Sequence, residues 1–382
     1  MKRCLYCCQE KDKSEFSEEH IIPQAIGGNL SPLNPFKTTD VCNRCNNLCG
    51  LFIDSAFIKN WITQAGRLQD AMRYIKFTKD AIFPLQFLGP SPELAHNDKI
   101  CDLWLGPTGD RIYHFHKPYP EVKDMPVIVG PAPNVQSEID AGYAFIYVVP
   151  DNHVWWIPIF RSFATQFKHS ELYLGNGPCP QGGMFTEIPP DLKELHTKLT
   201  EMRDTTHHAR ITISLGFETR FLAKFALGIG HLLLEPEFAF SKDADLLRSM
   251  MWARSYEKRK DIPIRGFGFL NINGKGLDQV LSWPSGHIIM LRPIDSGIGL
   301  FVRFYNSQTA CILISATKDH WVNRVSEEGI IFVIASGLRK CLGPISLRAY
   351  IEHRQGIIVN PDIDSLEKEA TTTYPRPPVQ LN

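Results

Sequence analysis

Residues 42–46, "CNRCN", repeat the spacing that residues 4–7, "CLYC", set near the start of the chain. A C-x-x-C turn presents two thiolates to one tetrahedral ion, at Zn–S distances of about 2.3 Å, and two such turns complete a closed four-thiolate site. Cys4, Cys7, Cys42 and Cys45 are therefore the expected ligands of a structural zinc. "CLYCC" could also ligate through Cys8 and "CNRCNNLC" through Cys49, and the two-residue gap favours Cys7 and Cys45. A closed site leaves no position for water or substrate. Its role is to hold together a segment too short to bury a sufficient core.

Working outward, the other cysteines, Cys101, Cys179, Cys311 and Cys341, are scattered and read as buried, inert thiols. Clustering of the rest at two-residue gaps favours metal thiolates over disulfides in a cytosolic chain. The start, "MKRCLYCCQEKDKSEF", lacks the apolar core of a secretory signal. The longest apolar helical run, residues 221–234, is short for a bilayer and carries Lys224 and His231. A cytoplasmic protein with no membrane partner is expected. Lysine plus arginine equals aspartate plus glutamate at 41 each, so a polyanion must be met by a local patch rather than a global field.

At 382 residues, 43% hydrophobic and 21% charged, the chain reads as soluble and globular with two or three compact units. Residues 1–62 form the cysteine-rich module, ending in the helical run "NNLCGLFIDSAFIKNWI". Residues 63–205 read as β-rich, with "YAFIYVVP" (143–150) and "HVWWIPIF" (153–160) as strands around a "DN" turn. Residues 206–370 read as α+β. Two helices come first, "FETRFLAKFALGIGHLLL" and "DADLLRSMMWARSYEKR", the second opened by Asp243 and Asp245 and closed by Lys258, Arg259 and Lys260. Four strand runs follow, "HIIMLRPI", "GLFVRFY", "ACILISA" and "IIFVIAS". Residues 371–382 read as a disordered tail. The overall class is α+β.

Between the cysteine pairs lies "EEHIIPQAIGG", residues 18–28. On a regular strand Glu19 and His20 would point to opposite faces. The order C-x2-C, E-H-I-I-P-x3-G-G, Asn34, then C-x2-C-N resembles the Cys4-zinc branch of the HNH endonuclease family, over about residues 4–55. The resemblance implies a zinc-pinned ββα-metal fold with Glu19 and His20 at the end of its first strand. It implies His20 as general base, since an imidazole can accept a proton from water near neutral pH. Glu19 and Asn46 would hold one exchangeable Mg2+ or Mn2+ through oxygen. Asn34 would brace the loop and so the imidazole. Glu19 stands where many members have aspartate or histidine, and Asn46 where many have histidine.

The implied activity is hydrolysis of DNA phosphodiester bonds. The larger C-terminal region would choose the target or the moment of cleavage, as in restriction and phage-defence nucleases. The alternatives are a zinc-ribbon nucleic-acid-binding or regulatory protein without catalysis, and an RNA-directed nuclease. One site cuts one strand per visit, so double-strand breaks call for a homodimer or sequential nicking. Arg44 and Lys37 could meet phosphates or be solvated surface charges, and "RSYEKRK" (254–260) with Arg265 and Lys275 is the most basic stretch. Trp155 and Trp156 are expected on opposite faces of a strand, His114 and His116 as a partly exposed pair, and Arg220 with Lys224 on a solvated helix face.

Overall fold

The computed structural model describes residues 1–30, 33–74, 82–106, 108–118, 142–149, 156–176, 185–202, 215–264, 266–267, 280–284, 286–306 and 308–371. Trp155, Cys179, His207, His208, Arg265, Lys275 and nearly all of the expected tail lie outside them. The chain divides into two compact units, one made of residues 1–58 and 215–373, the other built on residues 59–214.

The first unit opens with β1 (Lys2–Arg3) and β2 (Glu10–Lys11), paired antiparallel across the first cysteine turn. Strands β3 (Phe16–His20) and β4 (Lys37–Cys42) form an antiparallel pair, and α1 (Asn43–Cys49) leaves β4 without a linker. A π-helical turn, Gly50–Asp54, and α2 (Ser55–Ile58) extend that helix. This is a ββα module. The β3–β4 ladder slips between Ser17 and Glu19: Ser17 faces Val41 and Glu19 faces Thr38, so Glu18 lies opposite both Thr39 and Asp40.

The second unit begins with α3 (Trp61–Tyr74) and continues through β5 (Gln86–His96), β6 (Lys99–Leu105), β7 (Arg111–His116) and β8 (Tyr143–Tyr147) in an antiparallel meander. Helix α4 (Trp156–Gln166) then carries the chain to β9 (Glu171–Leu174), which lies parallel to β8. A parallel neighbour needs such a crossover. Residues 156–160 are thus helix, not the expected hairpin strand. Trp156, Ile159, Phe160 and Phe163 are buried at i, i+3, i+4 and i+7, and Pro158 sits in the first turn, where a missing N–H costs no intrahelical bond. One sheet face packs Ile112, Ala144 and Ile146 under α4; the other packs Tyr113, Phe115 and Phe145 under α5 (Lys193–Glu201). His114 and His116 are fully buried rather than partly exposed, and His116 Nε2 lies 2.9 Å from Asp102.

The first unit resumes with α6 (Leu215–Leu233) and α7 (Lys242–Trp252). The expected single helix over residues 243–259 breaks after Trp252. Ala253 is extended, and Ser255 caps a new short helix, α8 (Tyr256–Lys260), by accepting from the Lys258 N–H. Strands β10 (Gly266–Phe267), β11 (His287–Ile294), β12 (Gly297–Phe304), β13 (Gln308–Ser315), β14 (Ile330–Ala335) and β15 (Lys340–Ser346) form an antiparallel sheet in the order β10-β13-β12-β11-β14-β15. Helices α9 (Leu347–Arg354) and α10 (Pro361–Thr371) complete it.

Side-chain alternation along β11 explains the layering. Ile288 and Met290 join a core with Tyr350 of α9 and Ile363 of α10. Ile289 and Leu291 point the other way, into a core shared with α6, α7 and the N-terminal module. Tyr6, Ile21, Ile22, Ile53 and Phe57 therefore share one hydrophobic core with residues 221–250 and the sheet. The Phe57 and Phe221 rings stack with centroids 3.8 Å apart.

Candidate active site on the N-terminal module

The two cysteine turns converge. Ligand atoms of Cys4, Cys7, Cys42 and Cys45 all lie within 4.8 Å of one another, the spacing of four donors around a single ion. Cys8 and Cys49 are not part of this group. The backbone N–H of Cys42 donates to Cys4 Sγ at 3.3 Å. Hydrogen bonding from Cys45 pulls the Cys4 thiol down to about 4, whereas Cys45 itself is pushed up by the same contact and Cys7 by burial. Four thiols brought this close together are the donor set a divalent ion draws into full ionisation. The knuckle fits such an ion.

On the outward face of β3, His20 Nδ1 lies 3.0 Å from the Gly28 carbonyl. A carbonyl can only accept, so Nδ1 carries a proton. Asn34 Nδ2 donates to the same carbonyl at 2.5 Å, and Asn34 Oδ1 accepts from the Phe36 N–H at 2.9 Å. Asn34 thus fixes the oxygen that orients the imidazole. Gly28 is required by space: a Cβ there would stand 1.8 Å from the Ile22 carbonyl oxygen. Gly27, at φ +98°, ends the 3-10 turn Gln24–Ile26 in the left-handed region that glycine adopts without strain.

Around His20 Nε2 stand Gln24 Nε2 at 2.9 Å and Glu18 Oε1 at 3.1 Å. The amide can donate to the lone pair, and the carboxylate can receive the proton's far side once Nε2 is protonated. Lys37 pairs with Glu18 at 2.8 Å and holds its carboxyl below the usual range. Lys37 is thus committed to a carboxylate; Arg44 is exposed. Asn46, on α1, donates from Nδ2 to Ser17 Oγ and to the Glu18 carbonyl, each at 3.0 Å. His20, Asn34, Asn46 and Glu18 are brought together on this face.

Glu19 is not. Alternation turns it inward, where it is 2% exposed, the most deeply buried residue of its strand. Tyr6 Oη donates to Glu19 Oε1 at 3.0 Å, and Lys224 Nζ lies 2.7 Å from the same oxygen. The ammonium also meets both oxygens of Asp54, at 2.9 and 2.7 Å. Burial opposes the charge on Lys224, and Asp54 and Glu19 outweigh it, raising its hold on the proton. Burial lifts the Asp54 carboxyl to about 6 against the pull of Lys224. The expectation that Glu19 and Asn46 share one divalent cation does not fit these side chains, because an ammonium already stands at the Glu19 carboxylate.

Lys224 is therefore buried and paired, not on a solvated face, and Arg220 is likewise 4% exposed with Nε bonded to the Met251 carbonyl at 2.8 Å. Lys224, Gly228 and His231 lie at i, i+4 and i+7, one stripe of α6 turned to the module. A Cβ on Gly228 would stand 2.5 Å from Ile21 Cδ1, so glycine lets the helix close on the module. His231 Nε2 lies 2.8 Å from Asp40, whose carboxyl it holds well below the usual range. From α7, Arg248 donates to the Leu5 carbonyl at 2.7 Å and Trp252 to the Tyr6 carbonyl at 2.9 Å. Sequence reasoning missed Glu18, Asp54 and the Lys224 pairing. The available signal was a lysine inside an otherwise apolar helical run, which implies a buried acidic partner.

No curated protein and no solved structure matches the chain. Residues 4–62 match the family model described as HNH endonuclease, and the cysteine-knuckled ββα module with His20 on its outward face is an HNH module.

Proposed function

We propose that the module hydrolyses phosphodiester bonds of DNA, with His20 as general base and a structural zinc on Cys4, Cys7, Cys42 and Cys45. The observation that carries this is the Gly28 carbonyl, which Asn34 fixes and which in turn fixes the His20 Nδ1 proton. In the neutral imidazole the lone pair is then on Nε2, the atom that would take a proton from water. The resulting hydroxide attacks phosphorus in line, the 3′ oxygen leaves as an alkoxide that takes a proton from water, and the products carry a 5′-phosphate and a 3′-hydroxyl. As Nε2 gains its proton it faces Glu18 Oε1, and that ion pair stabilises the imidazolium. Zinc, when bound, supplies only the scaffold that keeps β4 and α1 in place beneath β3.

The family implies a catalytic Mg2+ or Mn2+, and no step is assigned to it, since Glu19 already holds the Lys224 ammonium. The larger remainder of the chain would select the target or the moment of cleavage, a division suited to a prokaryotic defence nuclease. The test is plasmid nicking by the full chain with Mg2+ or Mn2+, wild type against His20→Ala. Nicking lost in the variant supports the assignment; nicking that survives it removes His20 as base. A single-stranded RNA substrate cut faster than the plasmid would move the substrate class to RNA.

A further inference from the structure

Three lysine or arginine side chains are buried among the described residues, and two of them are neutralised: Lys224 by Glu19 and Asp54, Arg248 by Asp245. Arg220, 4% exposed, is not. Its side chain makes one hydrogen bond among the described residues, from Nε to the Met251 carbonyl at 2.8 Å, and no carboxylate stands beside it. A buried arginine without a counter-ion is rare. Cys49, its neighbour from α1, does not serve as one, because burial keeps that thiol neutral.

The charges felt at Arg220 are instead two more guanidiniums. Burial first, and then Arg259 and Arg254, bring it from 12.5 down to about 10. Arg259 is half-buried, with Nη1 3.4 Å from both the Ala253 and Arg254 carbonyls, and Arg254 is exposed. The one acid of α8, Glu257, is taken by Lys260. Carbonyls at the end of α7 account for one N–H of Arg220 and one of Arg259, as helix C-termini often do. A guanidinium carries five N–H donors in a planar fork, so most of each stays unused. Three forks run from core to surface, with no anion of the described residues among them.

We propose that Arg220, Arg259 and Arg254 form a phosphate seat that grips the backbone of the DNA substrate. The proposal rests on the nuclease reading and adds where the substrate is held outside residues 4–62. Phosphate matches the guanidinium fork bidentately, and a polynucleotide brings it as a row of diesters. A chain of zero net charge needs such a local patch to hold a polyanion. The seat is also tied to the outward face of β3. Asn46 of α1 donates to the Glu18 carbonyl, and Cys49 stands about 4.5 Å further along that helix, beside Arg220.

The experiment is fluorescence anisotropy of a short labelled duplex with zinc-loaded full chain and no added Mg2+ or Mn2+, repeated over a range of salt. Arg254→Glu is expected to raise Kd at least about tenfold, and Arg254→Gln to lower the salt slope by about one. The control is Lys318→Glu, the same change of charge on an exposed residue near the other end of α7, where Thr317 bonds Asp243; it should move Kd less than about twofold. Equal weakening by the two reversals overturns the seat, as does a Kd that Arg254→Glu leaves unmoved. Arg220→Lys keeps the buried charge and removes the fork, and should weaken binding severalfold; undiminished binding overturns the part given to Arg220. A mononucleotide that excludes the duplex at micromolar levels would overturn the backbone as occupant in favour of a free nucleotide. The expected Kd pattern without nicking by wild type supports the seat while removing the nuclease reading; nicking with a Kd unmoved by Arg254→Glu removes the seat alone.

Discussion

The two faces of β3 differ by one residue in sequence and by nearly everything in environment. Outward, Glu18 and His20 sit half-open among Gln24, Lys37 and Asn46, with polar partners that could exchange for substrate. Inward, Glu19 is closed in with Tyr6, Asp54 and Lys224, and nothing there reaches solvent easily. The difference teaches that adjacency in an "EH" pair does not mean a shared site. Strand alternation turns one residue to the outward face and the other into the core.

The comparison can be broken most violently from below. Cys45→Ser removes a knuckle ligand shared by both faces, and structural zinc is worth about 10–16 kcal/mol in small zinc modules. The expected outcome is loss of the bound zinc, counted by metal analysis, and of cooperative melting of the module. His20→Ala touches the outward face alone. It should lower nicking by about 10²–10⁴-fold, the usual worth of a general base, with an unchanged melting temperature.

Lys224→Met touches the inward face alone and should cost about 3–5 kcal/mol in denaturant unfolding, because it strands buried carboxylates. Adding Glu19→Gln and Asp54→Asn should recover most of that loss. If the triple variant stays as unstable as the single, the inward cluster is not an electrostatic unit. His287 probes the inward side through pH. It is fully buried, it meets the Ile26 carbonyl, and burial pushes it down to about 4 from an ordinary 6.5. The unfolded chain therefore takes the proton first. The stability contributed by neutral His287 is complete above about pH 6.5 and is lost as pH falls to about 4, by about 3 kcal/mol. His287→Gln should flatten that part of the profile. The smallest effect belongs to the outward rim: Glu18→Gln should lower nicking only a few-fold and leave stability unchanged, since Glu18 is exposed.

Much of the module was legible because its signals are local. The cysteine gaps, the glycine pair and the asparagine fourteen residues beyond His20 each act within a turn or a short loop. The strands of the large sheet were legible too, since β11, β12 and β14 are apolar runs buried almost continuously, as strands covered on both faces are. What failed was short or distant. "WIPIF" (156–160) is too short for periodicity to separate strand from helix, and it became the start of α4 because its buried positions fit a helical stripe against β8 and β9. The break between α7 and α8 turned on one serine cap. The Lys224 ion pair joins residues 170 positions apart in the chain, so no spacing rule could reveal it. The same holds for His116, whose burial is set by Asp102 on the neighbouring strand.

The insertion of residues 59–214 between the module and α6 imposes an order in time. During synthesis at roughly 5–20 residues per second, the cysteine knuckle emerges first and waits on the order of ten seconds or more for α6 to appear. Until then Ile21 and Phe57 have no helix to bury them, and Glu19 faces water with no lysine beside it. A nascent or truncated chain ending before residue 215 would carry the motif without the core that seals it, so the finished ion pair marks the arrival of α6 on the module.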